Sequence, residues 1–140
     1  MNDLIINKIQ SIQRCVRRAR EEFQADRESF ATNYSRQDAA LLNVLRGCET
    51  AIDLANHVIR AYKLGIPVSS ADSFKLLHTE RIIDSRLADR MVKMVGFRNT
   101  VVHQYTKMDI RIVEAVIVTD LDELLAFAER IRQYSEGATL

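Results

Sequence analysis

The sequence predicts an all-α fold, an antiparallel bundle of about five helices, and three observations carry that expectation. Apolar residues recur at alternating steps of three and four along most of the chain, the spacing of a single helical stripe. No two strand-like runs are joined by a hairpin signal. No repeat period is present, and the connections between the periodic segments are short, as in a bundle. With 140 residues there is room for one core, so a single domain spanning 1–140 is expected.

The first helix is marked by Ile5, Ile9, Ile12, Val16, Ala19 and Phe23. After a polar stretch, Ser35 with Asp38 has the form of a capping box and opens a second helix through Leu41, Leu45, Cys48, Ile52, Ala55, Ile59 and Tyr62. Gly65-Ile66-Pro67 ends it, because proline disfavours a helical residue before it and Gly65 suits a left-handed cap. Phe74, Leu77 and His78 predict a short helix over Ser70 to Glu80 behind a serine cap. From Asp84, Leu87, Met91, Met94 and Val95 build a fourth helix that runs into Phe97. The β-branched run Thr100-Val101-Val102 is a weak helix former, so residues 98–105 are expected at or beyond the helix end, with local distortion. Ile110, Val113, Ile117, Leu121, Leu124, Ala128 and Ile131 define one last long helix capped by Asp109. Val116, Ile117 and Val118 make that helix apolar on more than one side, which fits a central position or a subunit interface, and a homodimer is expected.

Hydrophobic content of 47% with 28% charged residues is that of a soluble protein, and no apolar run reaches the length of a membrane span. The first residues carry no secretory-signal pattern, so a cytoplasmic location without membrane association is expected. Cys15 and Cys48 fall on apolar-periodic positions and are read as small core residues. The net charge of +1 hides an uneven distribution. Lys8, Arg14, Arg17, Arg18 and Arg20 form a basic run near the start, whereas residues 109–140 are acidic. Arg14, Arg17 and Arg18 are candidate RNA-backbone contacts, or else partners for the acidic last helix or for another protein.

Metal chemistry has little support, since His57, His78 and His103 are far apart and no Cys/His cluster has zinc spacing. No metal and no cofactor are expected. Asp120-Leu121-Asp122 superficially resembles the paired carboxylates of a nucleotidyltransferase, but residues two apart on a helix diverge, and no glycine-rich phosphate loop accompanies them. A Gly-x-Ser-x-Gly elbow is also absent.

The stretch Arg98-Asn99-Thr100-Val101-Val102-His103-Gln104-Tyr105 is different, for it supplies a guanidinium, an imidazole and a phenol together. RNA can be cut without metal because the ribose 2′-OH is an internal nucleophile. The enzyme must then take the 2′ proton, protonate the departing 5′ oxygen and steady the charge on the phosphoryl oxygens. Histidine suits either proton transfer and arginine clamps phosphate, so His103 and Arg98 are the candidate catalytic pair. One imidazole is one too few for separate acid and base, and the chemistry favours a site shared between two copies. On a regular helix Asn99 and His103 share a face, so Asn99 can orient the imidazole or hold substrate. Arg98 and His103, five apart, converge only if the helix distorts or if each meets its counterpart in another subunit.

The octet resembles the Arg-x4-His-x-Tyr signature of the HEPN superfamily, specifically the HepT-type ribonuclease toxins of two-gene toxin–antitoxin systems. The resemblance implies a dimerising HEPN-like helical bundle that cuts RNA, often tRNA, without metal at the dimer interface. Arg98 and His103 match the catalytic pair, Asn99 the polar neighbour and Tyr105 the following tyrosine. It also implies a minimal nucleotidyltransferase antitoxin that silences the toxin by AMPylation of Tyr105, a type VII-like arrangement. The alternatives are a non-catalytic helical module that binds nucleotide or presents a substrate to a separate nucleotidyltransferase, and a purely structural dimerisation bundle.

Overall fold

In the computed structural model, which describes residues 2–137, helix α1 spans Asp3–Gln24. It opens where the Asn2 side chain accepts the Ile5 amide at 2.9 Å, supplying one orphan donor of the first turn. The predicted stripe is buried together with Cys15. The polar stretch after α1 also holds a core residue: Phe30 is fully buried and meets Phe23 edge to face, ring centroids 5.0 Å apart.

Helix α2 (Tyr34–Ala61) is capped by Asn33, not Ser35. The Asn33 side chain accepts the Arg36 amide at 3.1 Å, and Gln37 Nε2 donates to the Phe30 carbonyl at 2.8 Å. Starting two residues earlier ties the helix to the turn that buries Phe30. The left-handed residue at its other end is Lys63 (φ 55°), not Gly65, whose φ is 140°. The Leu64 amide returns to the Ile59 carbonyl at 2.9 Å, closing a Schellman motif. Helix α3 (Ser70–Thr79), capped by Ser69, ends the same way, with Arg81 at φ 60° and the Ile82 amide on the Leu77 carbonyl at 2.9 Å. A side chain in that region costs about 1–3 kcal/mol. Full burial of Ile82 and Ile83 just beyond Arg81 offsets it.

Helix α4 (Ser85–Gln104), capped by Asp84, carries the octet as far as Gln104. The octet thus lies at the end of α4 as expected, with its backbone regular from Arg98 to His103. Val101 lies in the core, and its burial outweighs the weak propensity of the Thr100-Val101-Val102 run. The backbone tightens only afterwards, in a 3-10 turn over Tyr105–Lys107. Asp109 caps the next helix as expected, accepting the Arg111 amide at 2.9 Å. The last helix is not continuous, however: α5 (Ile110–Ala115) passes through a π segment (Val116–Asp120) into α6 (Leu121–Ser135). The wider turn buries both Val116 and Ile117 and leaves Val118 half exposed. Arg20 braces it, donating to the Ile117 carbonyl at 3.5 Å and to Asp122 at 2.7 Å.

Side-chain pairs give the directions of the helices. Asn2 meets His57 at one end and Arg36 meets Glu22 at the other, so α1 and α2 are antiparallel. Tyr105 on Asp38 sets the end of α4 beside the start of α2, antiparallel again. A Cβ on Gly47 would sit 3.2 Å from Leu124, and Tyr62 meets Tyr134 edge to face, so α2 and α6 run parallel. Arg86 on Glu123 and Arg130 on the Ile82 carbonyl lay α4 antiparallel to α6. One hydrophobic cluster joins these helices, with Phe30, Phe74 and Phe127 among its fully buried side chains. Both cysteines are free and buried, and burial pushes Cys48 up to about 12, which suits packing rather than nucleophilic attack. Among the described residues no helix is long and apolar enough to cross a membrane.

Candidate active site

Because α4 is helical from Arg98 to Gln104, the side-chain directions there follow from its pitch. Five residues at 3.6 per turn place Arg98 and His103 about 140° apart around the axis. Arg98 is half-buried and turned towards α3, where its Nη2 lies 3.4 Å from Ser70 Oγ. Its Nε is buried with no hydrogen-bond partner. His103 and Asn99 are exposed, one turn apart on the same face. Asn99 and His103 thus share an exposed face, as their spacing predicts. Arg98 and His103 are not brought together within one chain.

Tyr105 lies just past the helix end, 46% exposed, and its hydroxyl donates to a carboxylate oxygen of Asp38 on α2. A hollow of about 240 Å³ opens beside the phenol, lined by Tyr34, Leu41, Met108 and Ile110 among others. The hydrogen bond to Asp38, then burial, then the Asp38 charge push the Tyr105 phenol up to about 12.

The basic run divides. Arg18 pairs with Glu21 at 2.7 Å and Glu22 at 2.8 Å, and Arg17 lies 3.7 Å from Glu21. Arg20 meets the acidic last helix through Asp122. Arg14 and Arg18 line a groove of about 640 Å³ between α1 and α2 with Arg46, where Glu49 and Asp53 also face. The other two histidines have fixed neighbours: His57 lies 3.4 Å from the Asn2 amide and His78 Nδ1 3.2 Å from the Ile83 carbonyl. Among the described residues no three His, Cys, Asp or Glu side chains are grouped to hold a metal ion.

The architecture and the octet lead to a family. A family profile described as ribonuclease HepT-like matches residues 12–131. The chain belongs to the HepT-like ribonuclease family. This HepT-like chain is 42% identical over 132 residues to the mRNA nuclease HepT of Shewanella oneidensis, covering 94% of this chain and 98% of that protein. It superposes with a TM-score of 0.88 on a solved structure described as the tri-AMPylated Shewanella oneidensis HEPN toxin in complex with MNT antitoxin, at 42% identity, covering 94% and 98% of the two chains. A second toxin–antitoxin complex, bearing a tyrosine-to-alanine substitution, matches with a TM-score of 0.86 at 41% identity, covering 93% and 98%.

Two residues at the HepT-like site have no signal in the sequence. Asp38 lies 67 positions from Tyr105 and Ser70 lies 28 from Arg98, so no local spacing links either pair. In the sequence pattern Asp38 is only half of a capping box, and that box does not form. Its contact sets a pH dependence that can be measured. Since the folded-state pKa of Tyr105 exceeds its unfolded value, the stabilisation from this bond is complete below about pH 10 and is lost as pH rises towards about 12. In Asp38→Asn, phenolate absorbance is expected to titrate nearer the ordinary tyrosine value. An unchanged titration of Tyr105 would exclude Asp38 as the cause.

Proposed function

We propose that this HepT-like chain is an endoribonuclease toxin that cuts RNA without metal, with Arg98 and His103 contributed by two copies meeting at a dimer interface. The observation that carries the reading is the unbroken helix from Arg98 to His103. It removes distortion as a way to unite guanidinium and imidazole, and leaves a second subunit as the way to assemble the site. Two His103 side chains then serve as base and acid, Arg98 steadies the phosphoryl charge, and Asn99 orients the imidazole. Exposed Val102, next to His103, supports an interface on this face. The whole of 1–140 acts as one domain.

The partner is a minimal nucleotidyltransferase antitoxin that attaches AMP to Tyr105. The relative described as an AMPylated toxin with its antitoxin supports this. So does an exposed phenol two residues from His103, where a bulky anion would repel and obstruct an incoming phosphate. The substrate is cellular RNA, which puts the protein in the cytoplasm. The S. oneidensis relative is named an mRNA nuclease, whereas the family resemblance implies tRNA, and both belong in the first assay. Arg14, with Arg18 and Arg46 in the groove, is proposed to hold the RNA backbone, and Arg17 flanks it.

The test is a mixed dimer with one wild-type and one His103→Ala chain, isolated through two different tags. It is expected to cut RNA in EDTA about 10²-fold or more below the wild-type dimer. Half of the wild-type rate would mean that each chain holds its own site. Absence of RNA cleavage by the wild-type dimer would favour a non-catalytic module.

A further inference from the structure

We infer that Asp38 is the proton acceptor for modification of Tyr105, a catalytic residue supplied by the acceptor protein itself; this rests on the reading of Tyr105 as the AMPylated residue. The phenolic oxygen is the atom that must attack phosphorus, and its proton already points at a carboxylate oxygen of Asp38. The geometry a general base needs is thus present before any partner binds.

Among the described residues that line the hollow, Asp38 is the one carboxylate beside the phenol. Among the residues lining the hollow beside the phenol, the titratable groups are Tyr34, Asp38 and Tyr105. Neither lysine nor arginine nor histidine lines it, so no cation of this chain stands there to ionise the phenol in advance. Asp38 itself favours the neutral phenol in the resting state, which makes prior ionisation a slow route at neutral pH. Transfer during attack avoids that route. The Tyr105 oxygen bonds to the α-phosphorus of the ATP carried by the nucleotidyltransferase as its proton passes to the Asp38 carboxylate. The bond from that phosphorus to the bridging oxygen breaks, and pyrophosphate leaves with the electron pair. Protonated Asp38 then releases its proton to water, and the product is a phosphodiester between tyrosine and AMP. Tyr105 is 46% exposed, so a partner can reach it while the hydroxyl stays on Asp38.

The experiment follows AMP transfer by intact mass, using the full-length protein, its cognate nucleotidyltransferase, ATP and magnesium. Asp38→Asn is expected to slow the initial rate by about 100-fold, within the usual range for loss of a general base. Asp38→Glu is expected to recover much of it. The pH profile separates chemistry from positioning. The wild-type rate should be nearly flat from about pH 7 to about pH 9, whereas that of Asp38→Asn should rise about tenfold per pH unit as the phenol ionises unaided. Equal rates in wild type and Asp38→Asn, or a slowed variant that keeps the wild-type profile, would overturn the inference and leave Tyr105 as the acceptor. A wild-type protein that gains no AMP, or gains it equally as Tyr105→Phe, would overturn the reading of Tyr105 and the inference with it.

Discussion

His103→Ala is expected to lower RNA cleavage in EDTA by about 10³-fold or more, since the proposed composite site would lose base and acid at once and each contributes about 10²–10⁴. Arg98→Ala is expected to cost about 10²–10³, the range for removing a group that stabilises developing charge. The double variant should be little worse than His103→Ala alone, because groups that act on one transition state do not contribute additively. His103 is exposed, so its loss should leave the unfolding midpoint near the wild-type value. Wild-type products should end in a 2′,3′-cyclic phosphate, the mark of attack by the neighbouring hydroxyl. Sustained cleavage by a folded His103→Ala protein would remove the imidazole from the mechanism.

Phe127→Ala should produce the largest change in stability, about 3–5 kcal/mol as for other buried phenylalanines. Phe127 is fully buried on α6 and meets Phe74 on α3 edge to face, centroids 5.2 Å apart and planes at 77°. Truncation leaves a cavity and removes an aromatic pair, against a total stability of about 5–15 kcal/mol for a domain of this kind. The loss reaches the site because α3 also carries Ser70, which lies against Arg98. Urea denaturation gives the stability change. RNA cleavage measured well below the unfolding midpoint should also fall, as α3 loosens its hold on the guanidinium. A drop in stability of under about 1 kcal/mol would mean that α6 repacks around the gap.

Much of the fold is legible in the sequence because burial follows the helical period. Ile5 to Phe23, Leu41 to Ile59 and Leu87 to Val95 hold their stripes, and nearly all the apolar residues that define them are in the core. Legibility fails where local rules compete. Asn33 and Ser35 are both good caps, and the choice rests on Phe30, a single aromatic in an otherwise polar turn. Lys63 and Arg81 take conformations that favour glycine because the residues after them are pulled into the core or against it. The π segment has no signal in the sequence, because Val113, Ile117, Leu121 and Leu124 keep a helical spacing straight through it. The octet is legible as chemistry and register, since Arg98, Asn99, His103 and Tyr105 are close in sequence. Ser70 and Asp38 are not, because tertiary packing alone brings them to Arg98 and Tyr105.

The buried Nε of Arg98 decides which edge of the guanidinium faces outward. With Nε covered and Nη2 against Ser70, an arriving acceptor can meet the group only at its terminal nitrogens. The approach to Arg98 is therefore set by how α3 and α4 pack, and it is fixed when the chain folds.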